Sequence, residues 1–511
     1  MSHLPVLPIV LPAMTAGLLL VLGSRSLAMS RAVSIASVFG LLGVTAVLLG
    51  IAGSGQYTTY ALSDWQAPFG ILLVLDRLSA LMVFMTALVA LAAVIYACLG
   101  WDCKGRHFHA LFHFQLMGIN GAFLTGDLFN LFVFFEVLLI ASYCLLLHGL
   151  GEKRLRSAVH YVAINLTGSA VFLISVSLLY SVTGTLNMAH LAERVAQAPM
   201  ADRAMIQAAG LMLLGVFGVK AAVFPLYFWL PAAYSSASAP VAALFAIMTK
   251  VGIYSVLRVS TVVFGAHALG ESLTSPWLLP VALLTLALAA FGALGAKRLS
   301  EMVAYLTVAS VGTMLAAIAT GSALALSGAL YYMAHSTLAV AAMFLLAELV
   351  ARSRGDSGDQ LQAGPGFLSR SSLSIAMLLG GAILAGLPLS SGFLGKLMIL
   401  RGVADSEHAA WVWAVILGSS LMALIGLARA GSLLFWNTTD ERPVAVQRGI
   451  TPEIACFSGL IACTVLMVVF ASPVKQYMDE TAQQIRNPQG YIAASIGGTA
   501  DRAPRLLEAR R

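Results

Sequence analysis

Charged side chains are scarce in this sequence of 511 residues. Asp, Glu, Lys and Arg make up 10% of it, whereas 59% of the residues are hydrophobic and the mean hydropathy is +0.90. Soluble globular chains contain about 25% charged residues. A water-soluble fold could not hide so much apolar surface, so the composition excludes that class and predicts an all-α polytopic membrane protein.

Motifs for cofactors, nucleotides and metals are also lacking. No Walker A loop, Rossmann glycine fingerprint, metal-ligand Cys/His cluster or haem motif occurs, and no CxxC joins the five scattered cysteines. We therefore expect no cofactor and no metal, and any energy for work must come from an ion gradient or a partner subunit. The net charge of +7 is attributed to basic loops and not to nucleic-acid binding. The apolar N-terminus has no basic region typical of a cleavable signal peptide.

Apolar runs long enough to cross a bilayer follow one another along most of the chain. Their lengths predict about fourteen spans in one bundle, residues 1–472, followed by a polar tail, residues 473–511, that is either a short helix around Val474–Ile485 or disordered. The third span includes an interfacial piece around Trp65, and Pro240 interrupts the eighth span early. The predicted limits are 4–23, 32–53, 70–99, 108–126, 128–150, 158–182, 205–230, 236–262, 275–295, 301–320, 324–350, 371–400, 410–436 and 453–472.

Basic residues are concentrated in every second loop. By the positive-inside rule, those loops are cytoplasmic, and both termini lie outside the cell. The basic loops contain Arg25 and Arg31, Lys104 and Arg106, Lys153, Arg154 and Arg156, Lys297 and Arg298, Arg352, Arg354 and Arg370, and Arg442 and Arg448.

Two stretches combine a lysine with prolines inside an apolar segment. Lys220 is followed by Pro225 and Pro231, and Lys396 follows Pro388. A lysine at membrane depth costs about 2.5–3.5 kcal/mol on insertion scales, and proline frees backbone carbonyls and bends helices. A charge beside a broken helix, found twice, suggests an internal repeat with a buried ion path.

Five titratable side chains inside the predicted spans are the candidate functional residues: Glu136, Lys220, Lys250, His335 and Lys396. Such a series at membrane depth is what proton relay across a bilayer needs. The alternatives are a neutralised structural carboxyl, lysines that reach an interface, and a buried hydrogen-bonded histidine.

Further polar and charged residues lie close to these five in the sequence or near the ends of spans. Ser235, Ser236, Ser238 and Thr249 are candidates to bridge gaps near Lys250. Asp127, Glu301 and Glu348 are interpreted as solvated charges at span ends, and Arg258 is either a buried partner or an end anchor.

These residues resemble the antiporter-like subunits shared by complex I, membrane-bound hydrogenases and Mrp-type cation/proton antiporters. The resemblance covers about residues 70–435. It is carried by the stretches GDLFNLFVFFEVLLIASYCLL, GVKAAVFPLYFWLPAAYSSASAPVAALFAIMTKVGIYSVLRV, YYMAHSTLAVAAMFLLAEL and LPLSSGFLGKLMIL. Within the family the chain is most similar to the D-subunit branch of Mrp (also called Pha) antiporters. It has a lysine at the last relay position, no long C-terminal extension and no long lateral helix.

The resemblance implies two inverted five-helix repeats, helices four to eight and nine to thirteen, at about residues 108–262 and 275–436. It also implies that helices seven and twelve are broken. It pairs Glu136 with Lys220 and places Lys250, His335 and Lys396 along a proton relay. The implied partners are other membrane subunits, monovalent cations (Na+ or K+), protons and the lipid of a bacterial inner membrane. Two alternatives stay open: a proton-pumping subunit of a redox complex, and a scaffold whose charges are structural salt bridges.

Overall fold

The structure is a computed structural model that describes residues 3–22, 26–65, 70–270, 273–274, 277–367, 369–439 and 450–500. Arg25, Arg442 and Arg448, three of the basic loop residues, lie outside these ranges. Nearly all of the described chain is helical. The first ten helices are α1 (Leu7–Leu22), α2 (Leu27–Ala52), α3 (Arg77–Ala97), α4 (Phe108–Leu124), α5 (Leu128–Leu147), α6 (Glu152–Thr183), α7 (Met188–Ala196), α8 (Met200–Ala221), α9 (Trp229–Ser236) and α10 (Ala239–Val262). The others are α11 (Ala266–Leu269), α12 (Leu278–Gly295), α13 (Leu299–Ala319), α14 (Ala323–Ser353), α15 (Arg370–Ala385), α16 (Ser391–Val403), α17 (Ala409–Phe435), α18 (Thr451–Val469), α19 (Ala471–Arg486) and α20 (Pro488–Ala500).

The predicted polytopic all-α fold is confirmed. Twelve helical segments of the described chain are long and apolar enough to cross a membrane. The seventeen-residue α4 and the two-part unit of α15 and α16 add two more, which together make the fourteen predicted spans. Large apolar side chains remain exposed around the bundle, as expected for a lipid-facing surface.

Two of the spans are broken where the prolines predicted it. Helix α8 ends because Ala222 adopts a left-handed conformation (φ 59°, ψ 55°), and the chain resumes as α9. Helix α15 ends at Gly386 (φ 80°), where glycine adopts positive φ without strain, and α16 begins at Ser391.

Pro240 does not interrupt a helix, contrary to the prediction. It lies in the first turn of α10, where its missing N–H has no intrahelical partner to lose and its fixed φ suits the helix. The helix therefore begins here, and it is buried without interruption from Ala239 to Ser260.

The expected interfacial piece around Trp65 is built on a short antiparallel hairpin. Its strands are β1 (Thr58–Ala61) and β2 (Leu72–Leu75), with Thr58 opposite Leu75. The indole of Trp65 is 65% exposed. A second, two-residue parallel pair joins β3 (Gly364–Pro365) to β4 (Thr438–Thr439).

Basic residues gather on one face of the bundle, which we call the basic face. There Arg154 donates a hydrogen bond to the backbone oxygen of Ser236 (2.9 Å), and Arg298 forms an ion pair with Asp359 (2.6 Å). Arg352 forms another ion pair there. Because successive spans reverse direction, the hairpin, α7 and α11 lie at the other face.

Helices α19 and α20 also lie at that other face, so the polar tail is helical as far as it is described. Helix α19 packs against α14 and α3, with Met478 and Ile485 buried. Its Glu480 forms an ion pair with Arg77 (2.6 Å), and its Asp479 accepts a hydrogen bond from Ser327 (2.5 Å).

Arg258, left open by the sequence, is a buried partner. Its guanidinium bonds the carboxylate of Asp76 (2.6 Å), the N-cap residue of α3. Burial alone would raise the pKa of Asp76, but the adjacent arginine charge outweighs burial, and the pKa is lowered. This pair ties α10 to α3 at the end of α10 away from the basic face.

Helices α8 and α10 touch at a glycine. A Cβ added to Gly252 would lie 2.5 Å from the backbone nitrogen of Ala221, which is next to Lys220. Such a contact cannot be relieved by a flexible side chain, so the helices would have to separate. Gly252 therefore sets the spacing between the helices that carry Lys220 and Lys250.

We predict that Gly252→Ala destabilises the protein, because overpacking a tight core costs about 1–3 kcal/mol. The melting temperature of the detergent-purified protein should fall, measured by intrinsic fluorescence. Gly43→Ala is the control, since an added Cβ there meets nothing within 4 Å. An unchanged melting temperature for Gly252→Ala would contradict the described helix spacing.

Candidate proton-relay site

Glu136 and Lys220 are joined through a serine. The hydroxyl of Ser169, on α6, donates a hydrogen bond to Glu136 Oε1 on α5. The Lys220 ammonium, only 5% exposed, donates to Ser169 Oγ (3.4 Å) and to the backbone oxygen of Asn165 (3.3 Å). The acid and the lysine thus lie one hydroxyl apart and do not form a direct ion pair.

The lysines of the two broken spans are both held near the end of a half-helix. Lys220 is the second-last residue of α8, and Lys396 reaches back from α16 to the backbone oxygen of Ala385 (3.0 Å), the last residue of α15. Lys396 also donates to Ser420 Oγ (2.9 Å) on α17. A helix C-terminus has free carbonyls and partial negative charge, so it stabilises an ammonium where no water competes.

Lys250 is the most enclosed of the three lysines. It is fully buried in the middle of α10, and its ammonium donates one hydrogen bond, to Ser310 Oγ (3.2 Å) on α13. That hydroxyl is itself oriented by the backbone oxygen of Thr307 (2.7 Å). An ammonium with three protons and one protein acceptor is poorly solvated, which favours loss of a proton to a neighbour.

His335 lies between the two halves of the bundle, fully buried on α14. Its Nδ1 bonds the hydroxyl of Ser391 (2.8 Å), the first residue of α16, while its Nε2 has no hydrogen-bond partner among the described residues. A Cβ added to Gly392 would come within 2.6 Å of Nε2, so glycine makes room for the ring. An imidazole with one nitrogen anchored and the other unoccupied by protein can accept and release a proton.

Other buried polar atoms without a protein partner in the described chain flank these groups. They are Asn165 Oδ1, Gln115 Oε1 and Thr249 Oγ1. An unpaired buried polar atom costs about 1–3 kcal/mol, and buried water is its usual partner. The candidate residues therefore do not lie in an entirely apolar interior.

One group of residues has the side chains for a metal ion: Cys98, Asp102 and His109. Arg31 already binds the Asp102 carboxylate through two nitrogens (2.6 and 2.7 Å). Burial would raise the pKa of Asp102, yet the hydrogen bonds from Arg31 and His109 lower it to about 2. The acid is thus neutralised by the protein, and the group is better described as an ion-pair cluster that fixes α2 to α4.

A comparison with protein families decides the classification. The family described as NADH:quinone oxidoreductase/Mrp antiporter, TM matches residues 125–423, more than half of the chain. The chain belongs to this family.

Individual proteins of the Mrp antiporter family match over nearly the full length. The chain is 39% identical to a protein of Rhizobium meliloti that is named as the D subunit of a probable K(+)/H(+) antiporter, over 96% of both chains. It is 35% identical to the D subunit of a Na(+)/H(+) antiporter of Bacillus subtilis, over 97% of this chain and all of that one. The expected likeness to the D-subunit branch is confirmed.

Solved structures agree on the fold. A chain of the Mrp complex from Dietzia superimposes with a TM-score of 0.87 at 25% identity, over 97% of this chain and 100% of that chain. A chain of respiratory complex I from Thermus thermophilus gives a TM-score of 0.78 at 23% identity, over 95% and 99%. At that identity, the second match supports the shared fold alone.

The structure buries Lys220, Lys250 and His335 of this Mrp-family chain inside the bundle and leaves Glu136 and Lys396 half-buried, each of the five near a hydroxyl or carbonyl. Sequence reasoning missed the hydroxyls that contact them: Ser169, Ser310, Ser391 and Ser420. Each is a serine in an apolar span or at the start of a half-helix, and this position indicates a contact with a buried charge only weakly. Of the serines and the threonine proposed near Lys250, none bonds its ammonium in the described structure.

We predict that Ser169→Ala slows proton transfer by at least about tenfold, because it removes the hydroxyl between Glu136 and Lys220. The measurement is the initial rate of cation-dependent pH change in vesicles that contain the complete complex. Ser177→Ala, an exposed position on the same helix, is the matched control and should keep the full rate. Equal rates for both variants would argue against the serine link.

Proposed function

We propose that this chain is the proton-translocating subunit of a multi-subunit monovalent cation/proton antiporter. The observation that carries the proposal is the Glu136–Ser169–Lys220 link, together with three further titratable groups inside the bundle, Lys250, His335 and Lys396. The names of the D-subunit relatives supply the type of transport, and those names include both Na+ and K+. We assign the chain to a transporter and not to an enzyme.

Proton transfer begins, in this proposal, with the Glu136–Lys220 link. Two unit charges 4 Å apart interact by about 4 kcal/mol at an effective dielectric of 20. Movement of Glu136 towards or away from Lys220 would therefore change the lysine's proton affinity by a large factor. A proton lost from Lys220 passes inward to Lys250, then to His335 and to Lys396.

Partner subunits are expected where the ends of the relay reach the surface. Glu136 and Lys396 are only half-buried in the isolated chain, although both lie inside the bundle's apolar band. A charge facing lipid at that depth is costly, so neighbouring membrane proteins would cover these positions. Association with other membrane subunits is also what the word "subunit" in the relatives' names implies.

A redox-driven proton pump is the second candidate function. The observation that favours it is the fold shared with complex I and with the membrane-bound sulfane sulfur reductase, whose matching chain gives a TM-score of 0.86. Purification of the native complex separates the two functions. Small multi-span antiporter subunits in the preparation support the antiporter, and iron–sulfur or flavin subunits support the pump.

We predict that Lys220→Ala reduces cation-dependent proton movement to the background level of empty vesicles, because the relay loses its inner acceptor. Wild-type rates in this variant would reject the relay. Lys297→Ala, an exposed lysine on the basic face, is the matched control. The amount of assembled complex is measured in parallel by native gel.

The scaffold hypothesis gives a different result in the same experiment. Removing one partner of a buried charge pair usually destabilises a protein by about 3–5 kcal/mol. If the charges only hold the subunit together, Lys220→Ala lowers the amount of complex, and the transport rate per assembled complex stays normal. If they relay protons, the complex is present and inactive.

The orientation in the bacterial inner membrane follows from the charge distribution. We propose that the basic face is cytoplasmic, so both termini and the helices α19 and α20 lie outside. The contacts that Arg154, Arg298 and Arg352 make with groups of that face do not remove the surplus of positive charge in its loops.

This orientation predicts that alkaline phosphatase fused after Ala500 is active and that green fluorescent protein fused there is dark. The opposite pattern would place the basic face outside. A fusion within the loop that contains Arg106 is the internal control, and it should give the reverse pattern of signals.

A further inference from the structure

A cavity of about 330 Å³ opens on the basic face and leads towards the centre of the bundle. We call it the inlet cavity; its walls include Arg154, Ser235, Arg298, Phe344 and Glu348. It lies between α9, α10 and α14, and the last two of these helices carry Lys250 and His335. The geometry points to a proton entrance from the cytoplasm, in which Glu348 collects the proton. This inference rests on the proposed transport function and adds a route and a residue to it.

Glu348 is the one acid in this cavity that the described protein leaves unpaired. The other acid, Asp359, binds Arg298 (2.6 Å), and Arg154 is occupied by the backbone oxygens of His148, Leu150 and Ser236. No hydrogen bond or ion pair of Glu348 is found among the described residues, and its side chain is half-buried. The sequence-based interpretation of Glu348 as a simple solvated end charge misses this enclosure.

The side chains that line the cavity carry charges of both signs. Lys153, Arg154 and Arg298 supply three positive charges, and ionised Glu348 and Asp359 supply two negative ones, which leaves a net charge of +1. Lys104 and Arg352 are near enough to act on Glu348 electrostatically. An unpaired carboxylate at the cavity wall can accept a proton and pass it on, as a relay group must.

The floor of the cavity is close to the relay. Ala242 lines the cavity, and Lys250 follows it by eight residues along α10, or about 12 Å at 1.5 Å per residue. Tyr234 is another lining residue, and its hydroxyl donates a hydrogen bond to the backbone oxygen of Phe245 (2.9 Å). The hydroxyl therefore lies deeper along α10 than Ala242. From the level of Phe245, about 8 Å remain to Lys250, a distance that two or three waters span.

Two buried polar atoms without a protein partner in the described chain lie near the two ends of this route. Ser238 Oγ is near the cavity wall, and Thr249 Oγ1 precedes Lys250; both residues are almost fully buried. Each needs a hydrogen-bond partner that the described residues do not supply, and water fits. In this proposal, the proton passes from Glu348 through the cavity to the Tyr234 hydroxyl, and water carries it on to Lys250.

Helix α9 connects this entrance to Lys220. It carries Tyr234 at its far end, and its first residue, Trp229, donates to the backbone oxygen of Val219 (3.2 Å), next to Lys220. A shift at the helix break would therefore move the tyrosine that closes the cavity floor. Entry to Lys250 would then depend on the state of the Glu136–Lys220 link.

The test uses the complete complex in everted vesicles, with the basic face outward. We predict that Glu348→Gln lowers the maximal rate of cation-dependent proton movement by at least about tenfold, at an unchanged half-saturating cation concentration. Glu348→Asp should restore most of the rate. Glu152→Gln, an exposed acid at the start of α6 on the same face, is the matched control and should keep the full rate.

The outcomes separate the entrance from the function itself. A full rate in Glu348→Gln, with Lys220→Ala inactive, overturns the entrance and leaves the transport function in place. A full rate in both overturns the function. A raised half-saturating cation concentration with an unchanged maximal rate would assign Glu348 to the cation and overturn the proton entrance.

If the Glu348→Gln variant does not assemble, a second measurement tests the same entrance. In a cysteine-free background, Ser235→Cys should react with a membrane-impermeant thiol reagent applied to the basic face, and the adduct should slow transport. Absence of labelling from that face would show that the cavity is closed to water, which overturns the proposal.

Discussion

The structure depends on the cost of holding an ammonium group inside an apolar helix bundle. Lys250 and Lys220 are almost fully enclosed, and each has only one or two oxygens within hydrogen-bond reach. An ammonium can donate three hydrogen bonds and loses hydration energy for each one not made. A fold that satisfied all three would fix the charge permanently. Incomplete solvation keeps the charged and neutral forms close in free energy, so a neighbouring charge can decide between them.

Broken helices supply this partial solvation at low structural cost. The end of α15 offers the backbone oxygen of Ala385 to Lys396, whereas Lys220 shares the backbone oxygen of Asn165 within the unbroken α6. The two broken spans place their lysines on different sides of the break. Lys220 belongs to the half-helix before its break, but Lys396 belongs to the half-helix after its own and reaches back across it. Gly386 and Gly392 leave the space for this, one beside the ammonium and one beside the ring of His335.

The sequence predicts the spans, the two breaks and the five titratable residues, because each is a local contrast against apolar surroundings. It does not predict their hydrogen-bond partners. A serine within an apolar helix normally bonds its own backbone, and only packing decides whether it also faces another helix. Ser310 does both, whereas Thr249, adjacent to Lys250, bonds nothing in the described chain. The role proposed for Glu348 could not be predicted for a similar reason. The sequence shows that Glu348 lies near the end of a span, but it does not show the cavity formed by α9, α10 and α14.

The two ends of α10 are built for different tasks. At the end away from the basic face, Arg258 is closed in by Asp76 and by the rings of Tyr254 and Tyr491, at 5.2 and 5.0 Å from its guanidinium carbon. At the other end the helix faces the inlet cavity, and the Tyr234 hydroxyl bonds the helix at Phe245, between the cavity and Lys250. In the proposed relay, a proton on Lys250 would find this end of α10 closed by the Arg258–Asp76 ion pair and its aromatic neighbours. The proposed relay then continues sideways, towards His335 and the second broken span, so entry from one face would become transfer along the membrane plane.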